Sequence, residues 1–153
     1  MQKIQKEDML LNDEYFMRLA ITEAEKALEI DEIPIGCVIV SNDLVIAKAH
    51  NMTETLSDVT AHAEMQAFTA ASEYLGSKYL NDCTLYVTLE PCPMCAGASY
   101  WTQIGKIVFG AVDKKHNNRI DNKQLLHPKT QIIGGILEEE CMQLLQKFFQ
   151  AKR

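Results

Sequence analysis

Two β-rich runs, "PIGCVIVS" at 34–41 and "LVIAKAH" at 44–50, have only Asn42 and Asp43 between them. A two-residue connection between strands reads as a β-hairpin, so this pair is antiparallel. The later strand-like runs are separated by stretches of helical period instead. Residues 12–30 place Phe16, Leu19, Ala20, Ala24, Ala27 and Leu28 at three- and four-residue steps, with Asn12 or Asp13 as the cap of a first helix. A loop, "NMTETLSDV", precedes a second helix over residues 61–75 that ends near Gly76, and "CTLYVTL" at 83–89 reads as a buried strand. Pro91 and Pro93 open a short helix through about residue 101, "GKIVFGAV" follows as another strand, and "QIIGGI" and "LEEECMQLLQKFF" close the chain as a strand and a helix. Alternation of this kind predicts an α/β fold with helices on both faces of a sheet, and the hairpin makes that sheet mixed.

The chain has 153 residues, 47% hydrophobic and 24% charged, which is the size and make-up of one globular domain spanning 1–153. Its longest apolar stretches, "CVIV" and "IVFGAV", fall far short of the roughly 18 residues of a membrane span, and "MQKIQKEDMLLNDEYF" lacks the apolar core of a signal peptide. A cytoplasmic protein is expected. Five cysteines, an odd number without an export signal, argue for metal binding or burial rather than a disulfide framework.

The net charge of −6 argues by itself against nucleic acid, but the charge is unevenly spread. Residues 113–129 hold Lys114, Lys115, Arg119, Lys123 and Lys129 against Asp113 and Asp121, and the tail holds Lys147, Lys152 and Arg153 with no acidic side chain. Each segment carries +3, leaving −12 elsewhere. A basic segment of this kind suits phosphate contacts and equally suits a solvated loop or tail.

Cys92 and Cys95 lie three apart at a helix start. Their sulfurs therefore point the same way, and the unpaired N–H groups of the first turn favour thiolate over thiol. His62 adds a nitrogen donor, and an N,S,S set leaves the fourth tetrahedral position of Zn²⁺ open, as in catalytic sites. No second CxxC is present to close it. Cys37, Cys83 and Cys141 stand alone in apparent strands or a helix and read as small buried apolar side chains. Zinc lowers the pKa of water towards neutrality, and Glu64, one residue beyond His62's neighbour Ala63, is the proton carrier such chemistry needs. Two helical steps diverge by about 200°, so His62 and Glu64 share one cavity only if the site sits at the helix's end rather than along its side.

H-x-E followed by P-C-x-x-C is the signature of zinc-dependent nucleobase deaminases. Beyond it, "EIPIGCVIV", "DVTAHAE", "TLYVTLEPCPMCAGA" and "IGKIVFGAVD" resemble bacterial tRNA-specific adenosine deaminases, and the likeness runs from about Tyr15 to the "KFFQAKR" end. The resemblance implies a cytidine-deaminase-like three-layer α/β/α sandwich around a central five-stranded mixed sheet, a homodimer, one zinc ion per chain, and hydrolysis of adenosine to inosine at the wobble position of a tRNA anticodon. By the same likeness His62, Cys92 and Cys95 match zinc ligands and Glu64 matches the proton shuttle. Asn51 matches a group that hydrogen-bonds the base, Ile35, Ala63 and Pro91 match the pocket, Asp113 matches an anticodon-loop contact, and Lys115 and Phe149 match the region where RNA lies. The chain departs from its relatives in "KKHNNRIDNKQLLHP" at 114–128, which contains no glycine, and at Lys147, where an acidic residue is common. Neither change touches the catalytic set.

Two other readings follow from the same residues. Small-molecule deaminases of guanine, cytosine or cytidine share H-x-E and PCxxC, and "PCPMC" followed by "SYW" is similar to guanine deaminases; "TLEPC", "CAGA", "FGAVD" and the basic tail favour tRNA. A non-catalytic zinc-binding subunit would have no use for Glu64 beside an open coordination position. Of the adjacent Phe148 and Phe149, one is expected to seat the last helix in the core and the other to meet a nucleotide.

Overall fold

The computed structural model describes residues 11–114 and 122–152. In chain order its elements are α1 (Asp13–Glu29), β1 (Gly36–Ser41), β2 (Leu44–His50), α2 (Ala63–Leu75), β3 (Cys83–Leu89), α3 (Pro93–Thr102), β4 (Lys106–Ala111), β5 (Gln131–Ile133) and α4 (Glu138–Ala151). A 3₁₀ turn at Asn122–Leu125, which hydrophobic period does not reveal, precedes β5. The five strands form one sheet in the order β2-β1-β3-β4-β5. β1 is antiparallel to both β2 and β3, whereas β3, β4 and β5 run parallel.

The hairpin turn works as its residues suggest. Asn42 and Asp43 take φ of 51° and 61°, the left-handed pair of a turn whose twist matches its strands. Along β1, β3 and β4 successive side chains then divide between two cores, as the period of two requires. Ile39, Leu85, Val87 and Ile107 pack with Ala63, Ala67 and Phe68 of α2 and Ala96 of α3. Val38, Val40, Tyr86 and Val108 pack with Phe16, Met17 and Ala20 of α1 and Cys141 of α4. The result is three layers, α2 and α3 on one face and α1 and α4 on the other, each fully buried aliphatic side chain contributing roughly 1.5–3 kcal/mol. Cys37, Cys83 and Cys141 are buried free thiols in these cores.

Local sequence sets the helix ends. Asn12 Oδ1 accepts the Tyr15 N–H at 2.9 Å and caps α1, and Gly76 closes α2 with φ of 64°. α1 lies unusually close to the sheet: a Cβ at Gly36 would overlap the backbone of Ala20 and Ala24, so only glycine fits where β1 begins. The Gly36 N–H is used as well, donating to Thr88 Oγ1 at 3.1 Å and tying β1 to β3.

Because β1 runs against β3, its first residue lies beside the last residues of β3, while β2 ends opposite Gly36. One end of the strands therefore gathers Ile35, Asn51, Glu90 and the residues after Ala111. Parallel strands leave a crevice at their carboxyl ends, and this is where the functional residues converge. Among the described residues, no helix is long and apolar enough to cross a membrane.

Candidate zinc and catalytic site

His62 and Cys92 hold equivalent places in two helices. His62 is the N-cap of α2, with ψ of 154°, and Cys92 is the N-cap of α3, with ψ of 169°. Both residues thus precede the helical turn instead of lying on its side, and both helix starts point into the crevice. α2 begins two residues later than helical period suggests, at Ala63, and that shift removes the 200° problem: His62 is extended, so it and Glu64 in the first turn line one cavity. Pro93 fixes the first turn of α3, where its missing N–H costs nothing, and Cys95 follows within that turn.

His62 Nδ1 lies 3.6 Å from Cys92 Sγ and 3.6 Å from Cys95 Sγ, and the donor atoms of all three lie within 4.8 Å of one another. Zinc bonds of about 2.3 Å to sulfur and 2.0–2.1 Å to nitrogen, at a tetrahedral angle, place nitrogen and sulfur roughly 3.6 Å apart. The donor set therefore fits zinc in element type, number and spacing. The electrostatics agree. The Cys92 thiol is held down at about 4 by a hydrogen bond from Cys95, then by His62 and the Cys95 backbone N–H, against the opposing effect of burial. Cys95 is pushed far up by the same partnership with Cys92 and by its burial, so the two sulfurs share one proton that a cation displaces. His62 is raised chiefly by its hydrogen bond to Cys92.

Glu64 is 4% exposed. Burial lifts its carboxyl to about 7; its own backbone N–H lowers it, the Cys92 charge raises it and His62 lowers it. A carboxyl poised near neutrality can both take and give a proton.

His62, Glu64 and Cys92 form the floor of a cavity of about 400 Å³, whereas Cys95 is fully buried and is not part of the lining. Ile35, Asn51, Ala63, Asp113 and Phe149 line it together with His62, Glu64 and Cys92. Asn51 is 4% exposed, with its N–H on Ile35 O at 3.0 Å. Pro91 is buried between two lining residues and is not itself part of the lining. The Asp113 N–H donates to Glu90 Oε1 at 3.1 Å. Lys115 lies outside the described residues, as does Arg153; Lys114 reaches the cavity wall. Phe148 is 8% exposed and packs in the core, whereas Phe149 is 47% exposed and faces the cavity. Lys152 is engaged within the protein, 2.6 Å from Asp31 and over the Phe148 ring.

Some of the wall is not evident from sequence motifs. Met142, Leu145 and Gln146 of α4 line the cavity; Met142, Leu145 and Phe149 recur at three- and four-residue steps, an apolar stripe whose target only the fold supplies. Ile33, Thr53 and Glu90 join it from three loops.

The family pattern described as "Cytidine and deoxycytidylate deaminase zinc-binding region" matches residues 11–111. The chain belongs to this deaminase family. It is a zinc-dependent hydrolytic deaminase with one Zn²⁺ per chain. Among members of the family, it is 45% identical over 150 residues to the tRNA-specific adenosine deaminase of Bacillus subtilis (strain 168), covering 94% of this chain and 92% of that one. It is similar to a solved structure from biochemical and structural studies of A-to-I editing by tRNA:A34 deaminases at the wobble position of transfer RNA. That match has 39% identity and a TM-score of 0.77 and covers 86% of this chain and 99% of the other. Guanine deaminase from Bacillus subtilis is similar over less of the fold, with 41% identity and a TM-score of 0.63 across 66% of this chain and 65% of that one.

Proposed function

We propose that this deaminase converts adenosine to inosine at the wobble position of a tRNA anticodon. The observation that carries the reading is likeness along nearly the whole chain, 45% identity over 94% of it, to a tRNA-specific adenosine deaminase, and it is supported by the His62, Cys92 and Cys95 cluster with Glu64 on the same cavity. His62, Cys92 and Cys95 hold the metal. Zinc in such a site supplies a nucleophile at neutral pH by acidifying water. Glu64 accepts the proton released from that water and delivers it to N1 of adenine, which makes C6 more electrophilic. The water oxygen bonds to C6; Glu64 then takes the remaining proton of that oxygen and carries it to the exocyclic nitrogen, the C6–N bond breaks and ammonia leaves, so adenosine and water become inosine and ammonia.

Asn51, buried on the wall, holds the base by its amide, with Ile35 and Ala63 against the ring and Pro91 fixing the turn into Cys92. An anticodon adenosine must leave its stack to reach the floor, which costs less in a loop than in a duplex. Asp113, Lys115 and Phe149 meet the flanking nucleotides, Phe149 by stacking.

The chain acts as one domain in a cytoplasmic homodimer. α3 supports the dimer: "PMCAGASYWT" has no charged residue, and Trp101 on it is 77% exposed, a surface suited to a second copy. Likeness to the guanine deaminase of Bacillus subtilis favours a second reading, a free-base substrate; that match covers 66% of the chain, against 94% for the tRNA-specific relative. Incubating the zinc-loaded protein with an anticodon stem-loop bearing wobble adenosine, and separately with guanine, cytosine, cytidine and adenosine, decides between them. Inosine in the RNA alone supports the tRNA reading; turnover confined to a free base replaces it.

A further inference from the structure

We propose that Glu32 is a positioning residue that sets one wall of the substrate pocket by holding the loop between Asn51 and His62, an inference that rests on the reading of the pocket given above. Glu32 is 1% exposed. A buried carboxylate is costly unless its charge is met by a cation or by several hydrogen bonds. Among the described residues no basic side chain forms an ion pair with it. Its partners all come from one short stretch more than twenty residues away: the Thr55 N–H and Thr55 Oγ1, each at 2.6 Å, the Glu54 N–H at 3.1 Å and Thr53 Oγ1 at 3.5 Å.

That stretch has little else to hold it. Leu56 is 54% exposed and Val59 84% exposed, so the loop does not bury an apolar face. Its internal bonds close it on itself, Met52 N–H to Ala61 O at 3.0 Å and Asp58 N–H to Thr53 O at 3.0 Å, and the Asn51 N–H on Ile35 O at 3.0 Å fastens its first residue but not residues 53–55. Glu32 fastens those, and Glu32 is itself set by its N–H on Ala27 O at 2.9 Å, at the end of α1. The carboxylate thereby joins two parts of the pocket wall, Ile33 and Ile35 that follow it and Asn51 and Thr53 of the loop. The zinc end of the loop has its own fastening: Gln66 Nε2 donates to His50 O at 2.8 Å and to Ala61 O at 3.1 Å. Loss of the Glu32 contacts therefore loosens the wall around the substrate and leaves His62 in place.

The test uses two substitutions in the zinc-loaded full chain. Glu32→Gln keeps the shape but turns an amide donor towards the loop's own donors, and Thr55→Val removes one donor with little change of volume. In the stem-loop assay Glu32→Gln is expected to raise KM about tenfold and Thr55→Val about threefold, the scale of losing hydrogen bonds to a charged group, with kcat within twofold of the parent. Zinc stays at one per chain, and amides of residues 53–60 exchange faster while those of β1 and β3 do not change. A fall in kcat at constant KM, which is what loss of properly folded enzyme gives, overturns the proposal, as does unchanged exchange in residues 53–60. Thr55→Val decides alone if Glu32→Gln does not fold. If the parent enzyme deaminates no RNA, the substrate reading fails, and the exchange comparison still decides whether Glu32 holds the loop.

Discussion

His62 Nδ1 lies 3.6 Å from Cys92 Sγ although thirty residues separate them, because each residue caps the start of its own helix and both starts face the same crevice. Helix N-termini carry partial positive charge and unpaired N–H groups, which stabilise thiolate sulfur and make two helix starts a natural place to collect anionic ligands. The arrangement also explains the one-residue gap between His62 and Glu64: the first is extended, the second is in the first helical turn, and both reach one cavity floor.

Glu64 is the only buried acidic side chain among the described lining residues beside the His and Cys cluster. Glu64→Gln conserves its shape and removes its ability to carry a proton. Zinc content by elemental analysis should remain at one per chain while kcat falls by about 10²–10⁴-fold. Full activity in this variant would assign the proton path elsewhere.

Asn51 faces the cavity from the end of β2 and takes no part in the metal set. Asn51→Ala is expected to lower kcat/KM on the stem-loop by about ten- to a hundredfold, the scale of a lost buried hydrogen bond to substrate, with zinc retained. Equal kinetics in parent and variant would remove Asn51 from substrate recognition.

Gly36 is a packing requirement rather than a catalytic one. In Gly36→Ala the new methyl meets the backbone of Ala20 and Ala24, which cannot rotate away, so α1 must shift from the sheet. A loss of about 1–3 kcal/mol is expected, read as a midpoint of thermal unfolding lower by roughly 3–10 °C. An unchanged midpoint would mean that α1 moves freely over β1.

Much of this architecture is legible in the sequence. The hairpin turn at Asn42 and Asp43, the apolar period of α1 and the αL glycine at the end of α2 each have local causes, and the structure follows them within a residue or two. The metal donors are legible because His62, Cys92 and Cys95 carry chemistry in their side chains at recognisable spacings. What the sequence does not disclose is long-range. Nothing local says that Met142 and Leu145 of α4 turn towards the same cavity as Ile35, that Lys152 is engaged by Asp31, or that Glu32 reaches Thr55. Those pairings depend on how layers pack.

Glu32 gives the protein a defined acid response. Burial raises its pKa, and the hydrogen bonds from the Thr55 side chain, the Thr55 and Glu54 backbone and Thr53 outweigh that, so the folded value lies below the ordinary 4.5. A depressed carboxyl contributes stability that is present above the unfolded pKa and is lost as pH falls through the folded one. The difference in unfolding midpoint between the parent and Glu32→Gln should therefore hold steady above about pH 5.5 and narrow as pH falls below 4.5. A difference that stays constant down through that range would contradict an ionised Glu32.

The most direct measurement is zinc-edge X-ray absorption on the purified protein, with metal counted on the same sample. The account predicts one zinc per chain, a shell of two sulfurs at about 2.3 Å with nitrogen and oxygen at about 2.0–2.1 Å, and loss of one sulfur or of the metal in Cys92→Ser. A shell of four sulfurs, or a spectrum unaltered in Cys92→Ser, would contradict it.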